Sequence, residues 1–187
     1  MSNENDLSPR EFLRQARFSP EQAEKRFRNA RSHIENGLFI SHSGLDYHRI
    51  LDQIVHPVMY QLIESDWYFI HSRVSGGAAG YRQLVQAALN WCDKFMVVIS
   101  ERSIGNEWVL AEVEWAIEKA RPILAVRLDE HGWPDITSRL NVRPEGLPVV
   151  PIFDFSSDIP RAQNELTNSL KELLVKFPHR LPISGSS

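Results

Sequence analysis

The stretch "KFMVVISERSIGNEWVLAEVEWAIEKARP" (94–122) contains a complete strand-to-helix unit. Its first seven residues, 94–100, are mostly apolar, as expected of a central strand in a parallel sheet that is covered on both faces. Asn106 is suited to cap the helix that follows, and Pro122 marks the point by which that helix has ended. Apolar residues recur on one stripe of this helix, which we predict packs on the sheet. The stripe comprises Val109, Val113, Ala116, Ile117 and Ala120.

Glu112 occupies a different part of this helix from the other acids. It lies roughly 80° from the centre of the apolar stripe, on a flank that it shares with Trp108, Trp115 and Lys119. An acid between two indoles at the edge of a core is a candidate functional group. Spacing alone favours a structural explanation, such as an ion pair with Lys119, a backbone partnership or simple packing of the tryptophans. The far side of the helix, which we predict to be solvated, carries Glu107, Glu114, Glu118 and Arg121.

The rest of the chain from Gly37 repeats this pattern. Five apolar runs alternate with helical stretches, namely 37–42, 67–71, 94–100, 122–128 and 147–153. Such alternation predicts β-α-β units with right-handed crossovers, and therefore a parallel sheet. Pro57 falls inside the helical stretch 46–65 and is expected to kink or divide it. We expect the last helix over 161–177, and the long connection 129–146 has room for one short helix.

The two ends of the chain differ from its middle. Residues 1–36 are rich in charge and contain no strand-like run. Within them, 8–11 (SPRE) and 19–22 (SPEQ) each combine a capping serine, a proline at the first helical position and an acid or amide at the third. The predicted organisation is a helical N-terminal extension (1–36) that packs on the main domain or on a partner, the main domain itself (37–177) and a disordered tail (178–187).

Composition limits the classes of function. A net charge of −3 gives no electrostatic case for binding nucleic acid or an anionic membrane. The single cysteine, Cys92, excludes an intramolecular disulfide and fits a cytoplasmic protein. No apolar run has the length of a membrane span. The seven histidines lack metal-ligand spacing and the glycine-rich phosphate-binding motifs are absent, so we expect neither a metal nor a bound cofactor.

In an open parallel sheet, ligands bind beyond the carboxyl ends of the strands. The residues that follow the first three runs are therefore candidates for binding. Glu112 lies about one helical turn inside its helix, so it can reach the same edge. The other candidates are Ser41, His42, Ser43 and Asp46 after the first run, Arg73 after the second, and the stretch that begins at Ser100 after the third.

Two stretches resemble motifs of the Toll/interleukin-1 receptor (TIR) domain family. "LFISHSGLDY" (38–47) is similar to the family's first motif, a strand ending in Phe-Ile-Ser that is followed by a polar turn and an acid. "KFMVVISERSIGNEWVLAEVEWAI" (94–117) is similar to its third strand and Trp-x-x-x-Glu helix start, here Trp108 to Glu112. The resemblance covers 37–177 and implies a flavodoxin-like three-layer α/β fold, with a five-stranded parallel sheet of order 2-1-3-4-5.

The family contains adaptors, which assemble with other TIR domains, and enzymes that cleave NAD+ at the nicotinamide–ribose bond. In the enzymes the Glu of Trp-x-x-x-Glu is catalytic, so the resemblance implies this role for Glu112. One carboxylate suffices, because nicotinamide leaves as a neutral molecule and needs no general acid. It either stabilises an oxocarbenium-like ribose or forms a covalent intermediate. The residues expected to bind NAD+, as substrate, are Ser41, His42, Ser43, Asp46, Arg73 and Trp108.

Three functions remain open at this point. The resemblance favours an NAD+ glycohydrolase or cyclase that acts in prokaryotic immune (antiviral) or cell-death signalling. Such an enzyme is expected to self-assemble through TIR–TIR contacts, and an effector protein is expected to respond to its product. The alternatives are a non-catalytic TIR interaction module and a nucleosidase or nucleoside ribosyltransferase of similar topology. The loop "SRVSGGAAGY" (72–81) lacks the acidic-basic pair and Pro-Gly of many adaptors, which disfavours adaptor docking through this loop.

Overall fold

The five apolar runs form the strands of one sheet. The structure, a computed structural model, describes residues 7–15, 37–62, 68–70 and 81–176. The strand order is β2-β1-β3-β4-β5 and every pairing is parallel, so the predicted flavodoxin-like α/β fold is confirmed. The strands are β1 (Leu38–Ser41), β2 (Tyr68–Ile70), β3 (Lys94–Ile99), β4 (Ile123–Arg127) and β5 (Ile152–Asp154).

Seven helices accompany the sheet in the part of the chain that the structure describes. The helix α2 (47–62) is one continuous helical stretch, and a 3-10 turn, Pro144–Gly146, precedes β5. The predicted short helix between 129 and 146 is present. The other helices are α1 (Pro9–Arg14), α3 (Tyr81–Trp91), α4 (Glu101–Ile104), α5 (Glu107–Glu118), α6 (Trp133–Thr137) and α7 (Ile159–Lys176).

The sheet separates two hydrophobic cores because successive side chains of a strand point to opposite faces. On one face, Phe95 and Val97 of β3 pack with α1, α3, α5 and α6. On the other, Met96 and Val98 pack with α2 and α7. Within the first core Phe39 stacks between Phe69 and Phe95, with ring centroids 5.4 and 5.7 Å apart. The result is a three-layer arrangement with the strand ends open at its edges.

Of the two outcomes predicted for Pro57, a kink or a division of the helix, division does not occur, because α2 is continuous. Pro57 lies in a π-helical section, Leu51–Met59, whose wider turn accommodates the proline ring. Proline has no N–H to donate within the helix. The side chain of Gln163 in α7 donates to the backbone carbonyl of Gln53 at 2.9 Å, so a polar contact with α7 supports this section.

Two segment boundaries differ from the prediction. The fifth strand begins only at Ile152, because Pro148 and Pro151 lack the N–H groups that a longer strand would need. The α5 helix ends at Glu118, before Ala120. Ala120 has a positive φ of 50° and is exposed, so its predicted place in the core stripe is wrong.

The first predicted helix start is confirmed by a capping box. Ser8 Oγ accepts a hydrogen bond from the Glu11 N–H at 3.4 Å, and the Glu11 carboxylate accepts one from the Ser8 N–H at 3.0 Å. The second start, 19–22, and the tail, 178–187, lie outside the described residues, so the domain boundaries stay predictions. No helix within the described ranges is both long and apolar enough to cross a membrane.

Candidate functional site

The Glu112 carboxyl group lies at the carboxyl edge of β1. Asn106 starts the α5 helix by accepting hydrogen bonds from the N–H groups of Trp108 and Val109. One turn later Glu112 is 1% exposed, and its Oε2 accepts a hydrogen bond of 2.5 Å from Ser41 Oγ. The structure thus joins two residues that the sequence had singled out 71 positions apart.

Burial changes the acidity of Glu112. Loss of hydration raises its pKa from an ordinary 4.5 to about 8, and the hydrogen bond from Ser41 acts in the opposite direction. Lys119, the alternative partner considered from spacing, is exposed. A positive charge brought next to Glu112 favours its ionised form, so this carboxyl group is suited to respond to a cationic ligand.

The turn after β1 carries three more of the predicted residues, all buried. The Nδ1 atom of His42 lies 2.8 Å from the carbonyl oxygen of Ser43, and the His42 ring packs near Tyr47. Ser43 Oγ accepts a hydrogen bond from the Leu45 N–H at 3.4 Å. These contacts hold the turn in place beside Ser41.

Asp46 connects this turn to the end of β3. Its Oδ2 accepts a 2.6 Å hydrogen bond from Ser100 Oγ, and its Oδ1 accepts one of 3.1 Å from Arg102 Nη1. The Asp46 side chain is nearly buried, whereas that of Arg102 is largely exposed. Because both carboxylate oxygens bind groups of the chain itself, the geometry favours a bracing role for Asp46 over direct contact with a ligand.

Trp108 lies on the same flank of α5 as Glu112 and is half-buried. Phe12 of α1 meets its ring in a T-shaped arrangement, with centroids 5.9 Å apart. The guanidinium of Arg82, at the start of α3, lies 5.3 Å from the Trp108 ring and 5.9 Å from that of Phe12. Sequence reasoning missed both Phe12 and Arg82, because no local pattern ties either residue to α5. The remaining candidate, Arg73, lies outside the described residues, and its role stays a prediction.

The prediction that Glu114 is solvated is wrong. It is 3% exposed and accepts hydrogen bonds from Arg10 Nε (2.9 Å), Arg10 Nη2 (3.0 Å) and the Asn141 N–H (2.7 Å). The reason is that α1 covers the outer face of α5, which the helical wheel had assigned to water. Arg121 also departs from that prediction, since it is half-buried with its guanidinium 5.6 Å from the Trp115 ring. Glu107 and Glu118 are exposed, as predicted.

The sequence contains one pattern that is consistent with the contact between α1 and α5. Arg10 and Arg14 are four residues apart, as are Glu114 and Glu118. The two arginines pair with the two glutamates in the same order, Arg10 with Glu114 and Arg14 with Glu118. Residues four apart share one face of a helix, so two complementary spacings of this kind predict two helices lying side by side.

One group of side chains has donors suited to a metal ion. Among the described residues, Asp129, Glu130 and His131 present ligand atoms within 4.8 Å of one another. Asp129 already accepts hydrogen bonds from the N–H groups of Glu101 and His131. Asp129 is therefore occupied by the backbone at the start of α4 and by its own loop after β4.

A comparison with protein-family models supports what the geometry suggests. A model described as TIR domain matches residues 38–170, a range that includes all five strands, Ser41 and Glu112 and leaves α1 outside. A search of curated proteins finds no match. This chain belongs to the TIR domain family.

Proposed function

We propose that this chain is an NAD+-cleaving TIR enzyme and that Glu112 is its catalytic residue. The observation that carries the proposal is the buried Glu112 carboxyl group, hydrogen-bonded to Ser41 at the carboxyl edge of the sheet. The family includes NAD+-cleaving members and non-catalytic ones. A buried carboxyl group that has lost its hydration lowers the stability of the folded protein. Groups whose pKa is shifted in this way concentrate at functional sites. The buried carboxyl group therefore favours a catalytic member of the family over a module that only docks to partners.

The reaction needs one charged group at the ribose. The bond between nicotinamide and ribose C1′ breaks, and its electron pair returns to the pyridinium ring, which leaves as neutral nicotinamide. Positive charge then develops at C1′, where the Glu112 carboxylate stabilises it or hydrogen-bonds the neighbouring hydroxyl groups. Addition of water at C1′ gives ADP-ribose and releases a proton, whereas attack by an adenine nitrogen gives a cyclic isomer.

The other residues have supporting roles in this proposal. Ser41 orients the Glu112 carboxyl group through its 2.5 Å hydrogen bond. Trp108, one turn before Glu112, offers an aromatic surface to a ring of NAD+. His42, Ser43 and Arg73 are proposed to contact the riboses and the diphosphate. Asp46, with both oxygens engaged, braces the turn that carries the first two of these groups.

The burial of Glu112 implies a movement before catalysis. A side chain that is 1% exposed has no free surface for a substrate, so NAD+ reaches it only after its covering side chains shift. TIR domains self-associate, and we propose that assembly favours the open arrangement. Turnover per molecule should then rise with protein concentration. We place this activity in cytoplasmic immune or cell-death signalling, with an effector protein that responds to the product.

The test is NAD+ consumption by the purified 187-residue protein over a wide range of protein concentration, with product analysis. Glu112→Gln should abolish turnover while keeping the hydrogen bond from Ser41. Glu107→Gln is the matched control, because Glu107 is an exposed acid on the same helix and should leave turnover unchanged. Glu114 is unsuitable as a control because it is buried and bound to Arg10.

The outcomes separate the candidate functions. Equal turnover by Glu112→Gln and the wild type would refute the role of Glu112. Absence of turnover at every concentration would favour the TIR interaction module, and activity on free nucleosides would favour the nucleosidase.

A further inference from the structure

The α1 helix is built firmly onto the catalytic side of the domain, although it lies outside the region 38–170 that matches the family. Arg10 forms two hydrogen bonds with the buried Glu114. Gln86 of α3 donates from Nε2 to three backbone carbonyl groups at the end of α1, with distances of 2.8 to 3.3 Å. These bonds satisfy acceptors that a helix end leaves without intrahelical partners. The docked position of α1 is therefore specified by polar contacts as well as by burial.

Two neighbouring apolar side chains of α1 contact different parts of α5. Phe12 is 0% exposed and its ring meets the Trp108 indole. Leu13 is 7% exposed and lines a small crevice with Ala111 and Trp115. Both side chains anchor α1, and it is Phe12 that brings an aromatic ring against Trp108.

We propose that Phe12 is a positioning residue for the substrate, acting through Trp108. The proposal rests on the proposed function, in which Trp108 covers a ring of NAD+. A half-buried indole has several rotamers open to it, and the Phe12 ring together with the Arg82 guanidinium restricts that choice. An indole held in its bound orientation loses less conformational entropy when a ligand stacks on it. The N-terminal extension thereby contributes to NAD+ affinity without touching the substrate.

The expected effect falls on binding more than on chemistry. In the proposed function Trp108 stacks on a ring of NAD+ and exchanges no proton or electron pair with it. Loss of the edge-to-face contact corresponds to about a 3- to 10-fold weaker interaction. We therefore expect Phe12→Leu, which keeps an apolar side chain but removes the ring, to raise KM for NAD+ by about this factor. We expect kcat to change by less than about twofold.

The matched control is Leu13→Ala, in the 187-residue protein. It removes a buried side chain from the same helix and should lower the unfolding midpoint, while KM stays at the wild-type value. Phe12→Leu is preferred over Phe12→Ala because it retains most of the buried volume and keeps α1 docked. A KM that rises equally in both variants would mean that α1 acts only through general stability, and this would overturn the proposal.

A second readout does not depend on turnover. The protein is labelled with 5-fluorotryptophan, and the ¹⁹F resonance of Trp108 is identified by its loss in Trp108→Phe. Phe12→Leu should move this resonance and Leu13→Ala should not. An unmoved Trp108 resonance in Phe12→Leu would overturn the positioning of the indole. Lack of NAD+ turnover by the wild type would instead refute the proposed function and the substrate half of this inference, and the resonance would still decide the structural half.

Discussion

Replacement of Glu112 by glutamine should stabilise the protein, and the gain should grow with pH. Glutamine has nearly the same shape as glutamic acid and still accepts the hydrogen bond from Ser41. It never ionises, so it does not incur the free energy of placing a negative charge in the buried site. The wild type incurs that free energy whenever the pH is high enough for the unfolded chain to lose the Glu112 proton.

The magnitude follows from the pKa of Glu112, which burial raises from 4.5 to about 8. Between these values the folded state retains a proton that the unfolded state has lost, so the free energy of unfolding falls as the pH rises. Each pKa unit corresponds to about 1.4 kcal/mol. The destabilisation is absent below pH 4.5, reaches about 3 kcal/mol at pH 7 and levels off near 5 kcal/mol above pH 8.

The assay is urea unfolding followed by tryptophan fluorescence, for the wild type and Glu112→Gln at pH 4.5, 7 and 8.5. The difference in unfolding free energy at pH 4.5 is the reference. The variant should exceed the wild type by about 3 kcal/mol more at pH 7, and by more again at pH 8.5. Glu107→Gln, an exposed position on the same helix, should show no such trend.

A difference between Glu112→Gln and the wild type that is the same at all three pH values would refute this reasoning. It would show that Glu112 ionises equally easily in the folded and unfolded chains. The site would then lack the desolvated carboxyl group on which the proposed function rests.

Three further predictions concern catalysis and packing. The kcat/KM for NAD+ should rise with pH and level off near pH 8. The kcat should level off at lower pH, because the positively charged nicotinamide ring of bound NAD+ lowers the pKa of Glu112. Steady-state rates between pH 5.5 and 9 measure both, and a flat kcat/KM would contradict the assignment. Glu114→Ala should lower the free energy of unfolding by about 3 kcal/mol, because it leaves Arg10 without its carboxylate. Glu118→Ala, at an exposed ion pair, should lower the free energy of unfolding by about 0.5 kcal/mol or less in the same urea titration. Asp46→Ala should lower stability and kcat but leave KM within about twofold of the wild type, and a selective rise in KM would instead make Asp46 a substrate ligand.

The helical wheel of α5 separated Glu112 correctly from Glu107 and Glu118, because the sheet and the solvent act on opposite faces of the helix. The same wheel failed for Glu114. A helical wheel of α5 contains no information about α1, which lies about 100 residues earlier in the chain and covers the outer face of α5. Burial of Glu114 by α1 is a tertiary effect, and only the matching arginine spacing in α1 pointed towards it.

The strand order was predicted from the resemblance to the TIR family. The place of the site was predicted from the candidate residues at the ends of the strands. Ser41 was predicted there because it ends the first apolar run, and its hydrogen bond to Glu112 bears out their proximity. The length of β5 and the π-helical geometry at Pro57 were not predicted. Both depend on prolines, which lack the N–H groups that strands and helices use, and on packing that no local pattern shows.

The covering of α5 by α1 affects how this chain meets other molecules. Since α1 belongs to the same chain, it acts as an intramolecular ligand for the outer face of α5, and its effective concentration there does not fall on dilution. A second copy would compete for that face only at the total concentration of the protein. Self-association is therefore expected to use other surfaces, and any partner that binds this side of α5 must first extract Phe12 from its buried position.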